Sequence, residues 1–141
     1  RNTDPGLTIQ RSLEHLERPL DRQVWLLPAD VTTFPASASL TLSVAPAGQV
    51  DPGDELHVRA GIYECDPGRV CSRIVRQTLV VPAVTQGAFT SVGFDLSVGT
   101  LTPIAPGRRL ELRVAVVYSS DVDAWLGYDS VDHPSALVLG P

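Results

Sequence analysis

The feature that most constrains this chain is a two-residue alternation of apolar and polar side chains, broken at short intervals by Pro and Gly. In SLTLSV, Leu40, Leu42 and Val44 share one face, with Thr41 and Ser43 opposite. In ELHVRAGIYEC, Leu56, Val58, Ala60 and Ile62 point one way, and His57, Arg59 and Tyr63 the other. FTSVGFDLSV sets Val92, Phe94 and Leu96 inward. RRLELRVAVVYSS predicts a strand ending at Tyr118, in which Leu110, Leu112, Val114, Val116 and Tyr118 alternate with Glu111 and Arg113 and the first four point inward. Glu111 and Arg113 face away, so Glu111→Lys is expected to be almost silent. This period belongs to half-buried strands, because successive strand side chains leave opposite faces. RIVRQTLVVP, AWLGYDS, SALVLG and the shorter GLTIQRS and QVWLLP complete the set.

Twelve prolines, at positions such as Asp51-Pro52-Gly53-Asp54 and Pro106-Gly107, are incompatible with long helices. One helical turn is admissible in SLEHLERPLDRQ, where Leu13, Leu16 and Leu20 fall at helical spacing until Pro19 intervenes. The expectation is a single domain over residues 1–141, an all-β antiparallel β-sandwich of jelly-roll or Greek-key type with eight or nine short strands.

Cys65 and Cys71 flank Asp66-Pro67-Gly68. Pro presets φ and Gly accepts positive φ, so the turn brings the flanking strands, and the two Cβ atoms, within disulfide reach. The spacing is not C-x-x-C, and no further Cys or nearby His completes a zinc site. A disulfide at a hairpin tip implies an oxidising compartment, so the expected location is extracellular or the cell surface.

The net charge of −5 argues against nucleic acid and anionic membranes as partners. No apolar run approaches a membrane span. All eleven basic residues other than His are Arg, Met is absent, and Asn2 is the one Asn. We read this as the codon bias of a GC-rich bacterial genome. With no initial Met, the chain is expected to be processed or trimmed, any signal peptide or anchor being removed or upstream.

TPIAPGRRLELRVAVVYSS followed by AWLGYDSVDHPSALVL resembles the closing strands of a jelly-roll module found in exported bacterial surface proteins. The shared pattern is a Pro-Gly turn, an alternating strand, a polar loop, an aromatic strand ending Tyr-Asp, and a last Pro-Ser strand. NTDPGLTIQRS is similar to the opening of the same module. The resemblance implies export and a non-catalytic role, and it supplies no site residues. The Cys hairpin lies outside the pattern.

The residues themselves give little for catalysis. Ser135, His133 and Asp129 could be written as a triad, but no G-x-S-x-G elbow precedes a serine. His15, His57 and His133 are scattered, without metal-ligand spacing. No catalytic residue and no cofactor are expected. Calcium is the one metal retained, through Asp121, Asp123 and Asp129, because loop carboxylates suit a hard cation. Trp25, Trp125 and Tyr128 are the candidate sugar-stacking rings.

The favoured function is a non-catalytic extracellular structural or display module, a subunit of a cell-surface assembly or filament. Its partners would be copies of itself through strand exchange, or other surface proteins, with NTDPGLTIQRS or SALVLGP as the donated segment. The alternative is a carbohydrate-binding module with a structural calcium ion and a polysaccharide partner.

Overall fold

The structure, a computed structural model, describes residues 7–9, 22–83, 85–127 and 135–140. Its strands are β1 (Leu7–Ile9), β2 (Arg22–Leu26), β3 (Thr33–Phe34), β4 (Ala38–Ala47), β5 (Glu55–Cys65), β6 (Cys71–Pro82), β7 (Thr90–Asp95), β8 (Thr102–Pro103), β9 (Arg109–Val116), β10 (Asp123–Gly127) and β11 (Ala136–Leu139). Nine of them build two antiparallel sheets, as the alternation predicts; β3 and β8 form a separate two-residue pair. The helical turn considered at Ser12–Arg18 lies outside the described residues.

One sheet is organised around β4. Its first edge carries β7, from Ser39↔Asp95 to Val44↔Thr90. Its second edge is shared: β11 covers Ala38 to Thr41 and β10 covers Ser43 to Ala47. Ser135 closes the seam between them, since its hydroxyl accepts from Ser43 N at 3.0 Å and donates to Gly127 O. That side chain supplies the ladder bond that neither strand provides, as buried backbone groups require. β1 then pairs with the far edge of β10.

The second sheet has the order β2-β9-β5-β6. Leu56, Val58, Ala60 and Ile62 of β5 and Leu110, Leu112, Val114 and Val116 of β9 face Leu40, Leu42, Val44, Phe94 and Leu126 of the first sheet, all buried in one continuous core. Each such large apolar side chain contributes roughly 1.5–3 kcal/mol on burial. Val75, Leu79 and Val81 of β6 pack against the same core from its margin.

Two local expectations are corrected. β9 ends at Val116, and Tyr118 is 51% exposed. Val117 N bonds His57 O, and Ser120 N bonds Val117 O, so the chain turns there and Val117 is buried instead. In the Cys65–Cys71 turn, the left-handed residue is Arg69 (φ 64°), whereas Gly68 is not among the residues with positive φ. Arg69 N bonds Asp66 O, Asp66 N bonds Val70 O, and the Asp66 carboxylate accepts from Val70 N. The turn therefore closes one residue later than the Pro-Gly signal suggests.

Candidate functional site: the outer face of the disulfide hairpin

β5 and β6 form the longest hairpin, paired from Glu55↔Pro82 to Cys65↔Cys71. The two cysteines are joined as expected, with Cα atoms 4.0 Å apart. A bulge between Ile62 and Tyr63 leaves Ile74 unpaired, and the register resumes at Tyr63↔Arg73. Across the outer face of this sheet run rows of opposed residues. Leu26, Glu111, Tyr63 and Arg73 make one, and Val24, Arg113, Gly61 and Arg76 make the next.

At the centre of these rows sits a polar group that the alternation places in solvent and the structure does not. Glu111 lies on the outer face but is only 4% exposed. Its carboxylate pairs with Arg113 Nε at 3.0 Å. The Arg113 guanidinium also donates to Cys71 Sγ at 3.0 Å and stands 4.1 Å over the Tyr63 ring. Gly61 makes room for this stack: a Cβ there would meet Tyr63 Cε1 and Val75 O, each at 3.0 Å. Cys65, Cys71 and Glu111 are close enough to share a metal ion, but the sulfurs are bonded to each other and offer no thiolate. Nearer the turn, Arg108 pairs with Glu64 at 3.2 Å and donates to Glu64 O.

Toward β6 the face becomes uncompensated. Arg59 donates to Thr78 Oγ1 at 3.1 Å, and Arg73 and Arg76 are exposed. Among the described residues, no carboxylate lies within ion-pair distance of Arg59, Arg73 or Arg76. Burial, and then the positive charges of Arg76 and Arg73, push the Arg59 guanidinium below its ordinary pKa, with Tyr63 opposing. A chain of net charge −5 thus concentrates positive charge on one sheet face.

A second constellation, missed by sequence reasoning, joins β5 to the loop after β9. His57 Nδ1 lies 2.8 Å from Ser119 Oγ, and His57 Nε2 lies 3.2 Å from Glu55 Oε1. The order serine, histidine, carboxylate is that of a hydrolytic triad. The surroundings do not support the chemistry. The Glu55 side chain is 54% exposed, so water competes with it for the imidazole. The Ser120 and Asp121 amides already bond Val117 O and Glu55 O, leaving neither for an oxyanion. The same bonds, with His57 N to Ser120 Oγ at 3.0 Å, clamp the loop onto β5. Ser119 and His57 lie 62 residues apart, and no local motif signals their meeting.

The other sequence candidates separate. Asp121 is exposed, and its Oδ2 accepts from Glu55 N at 2.8 Å; Asp123 opens β10 opposite Ala47. Asp129 and Tyr128 lie outside the described residues. Trp25 packs against the core and lines an opening of about 340 Å³ between the sheets, with Leu40, Leu42, Leu112, Leu126 and Leu137. Trp125, between buried Ala124 and Leu126, stands on the outer face of the other sheet. The two tryptophans therefore do not form one platform.

No family model matches the chain, and no curated protein matches it. Among solved structures it is similar to an alpha-amino acid ester hydrolase, with a TM-score of 0.62 and 10% identity. The match covers 93% of this chain and 27% of that one, so the chain spans about a quarter of the hydrolase's length. At that identity the likeness concerns the fold alone. No helix among the described residues is long and apolar enough to cross a membrane.

Proposed function

We propose that this β-sandwich is a non-catalytic structural or display module of an exported bacterial protein, acting at the cell surface as one unit of a larger assembly. The observation that carries the reading is the β5–β6 hairpin, fastened at its tip by the Cys65–Cys71 disulfide, with β6 running for twelve residues at the sheet margin. Among the described residues, β6 has β5 as its one ladder partner, and its outer backbone groups pair with no second strand there. Such an edge is either blocked or used for contact between chains. A disulfide at this position suits a module that persists in an oxidising exterior.

The test is particle size. The purified protein, examined by light scattering and electron microscopy over a concentration series, is expected to form oligomers or filaments alone or with surface proteins of the same cell. A strictly monomeric particle with every such partner overturns the assembly reading.

A further inference from the structure

We propose that the outer edge of β6 receives an extended acidic peptide strand, whose backbone pairs with β6 and whose carboxylates meet Arg73 and Arg76. This names the partner chemistry of the assembly proposed above and rests on it. Two independent observations converge. The first is the edge of a twelve-residue strand with no second ladder partner among the described residues, from which N–H and C=O groups alternate away from β5 on either side of the bulge at Ile74. The second is charge: Arg73 and Arg76 rise from this strand and Arg59 from its neighbour, with no carboxylate paired to any of them among the described residues.

Arginine on a sheet edge ordinarily discourages pairing between identical chains, because like charges would face each other. The obstacle is electrostatic and therefore selective. A strand with carboxylates at alternate positions removes the repulsion and gains guanidinium–carboxylate bonds on the outer face while its backbone extends the ladder. Among the described residues, Thr78 and Val80 are also exposed, and the one side-chain bond from this strand to β7 is Gln77 Oε1 accepting from Asp95 N.

The same reasoning selects against the chain's own segments. Leu7–Ile9 and Ala136–Leu139 are already paired with β10 and β4. SALVLGP contains no carboxylate, and NTDPGLTIQRS contains one, opposed by Arg11. Neither of these two segments is therefore the acidic strand, which we assign to a different chain.

The experiment uses the whole protein and an acetylated, amidated twelve-residue peptide of alternating Glu and Thr. Binding is expected to protect alternate β6 amides from hydrogen exchange and to weaken as salt rises from about 20 to about 500 mM. Arg73→Glu with Arg76→Glu should weaken it about tenfold and confer binding of the matching Lys–Thr peptide. Both positions are exposed, and an unchanged melting curve confirms that the variant folds. Absence of binding at low salt overturns the inference. So does binding without β6 protection, or equal binding of polygalacturonate, which would indicate a polyanion surface with no added strand. A monomeric protein that captures the peptide separates failure of the assembly reading from failure of this one.

Discussion

Arg69 occupies the left-handed region at φ 64°, next to a glycine that does not use its freedom. The left-handed conformation costs a residue with a Cβ about 1 kcal/mol, which Gly avoids. Arg69→Gly should therefore stabilise the protein by about 0.5–1 kcal/mol, read as a higher urea midpoint at unchanged m-value. Val114 has no exposed surface, and Val114→Asp should unfold the domain by burying an unpaired charge, a cost of several kcal/mol. Glu111→Lys was expected from the alternation to be silent. The structure predicts instead a loss of about 3 kcal/mol, because a cation would replace the partner of Arg113 in a buried place. The reason lies in cross-strand neighbours: alternation assigns a face, but burial on that face depends on Arg113, Tyr63 and the disulfide, which no local pattern brings together. At Asp95, hydrogen bonds from Ser97 hold the carboxyl below the usual carboxylate range. Because the folded value is depressed, the associated stability is present above the unfolded value and is lost as pH falls through the folded one. Carboxyl NMR should show an Asp95 midpoint below the ordinary carboxylate value, moving upward in Ser97→Ala.

Among the elements, the strands were the most legible part of the sequence. The alternating faces of β4, β5, β7 and β9 follow the pattern because one face packs on a core. Less legible were the ends. Tyr118 continues the period in sequence, yet backbone bonds from Val117 and Ser120 turn the chain before it. The disulfide was legible from Asp-Pro-Gly and the cysteine spacing, although the turn uses Arg69. With a sequence separation of 6 between its cysteines, it closes a short loop, worth about 2 kcal/mol by loop entropy. Replacing both cysteines with serine should cost about that much and leave the protein folded. The accompanying loss of amide protection should concentrate near Cys65 and Cys71, rather than spread to β4 and β7. Protection lost evenly across both sheets would show that the tip controls the whole molecule.

On the scale of the molecule, the sandwich could be read from strand number and proline placement, but the pairing of distant strands could not. Neither the Ser119–His57–Glu55 contact nor the gathering of Arg59, Arg73 and Arg76 has a sequence signal, since each requires the register of the sheet. The candidate calcium ligands illustrate the converse. Asp121 and Asp123 are separated in sequence by Val122 alone, but Asp121 is engaged with the β5 backbone. Thermal unfolding in millimolar calcium and in excess chelator should therefore give the same melting temperature. An upward shift with calcium, abolished by Asp121→Ala plus Asp123→Ala, would place an ion there.

The divided edge of β4 also sets a schedule. Ser135, which closes the seam between β10 and β11, lies 92 residues after the Ser43 amide it receives. At ribosomal rates of about 5–20 residues per second, β4 emerges roughly 5 to 20 seconds before the residues that complete it. Until β10 and then β11 emerge, that edge has no native partner, and contacts of such long sequence separation form slowly. The sheet is thus finished late, and β4 stays exposed until the last strands emerge unless another molecule covers it during synthesis.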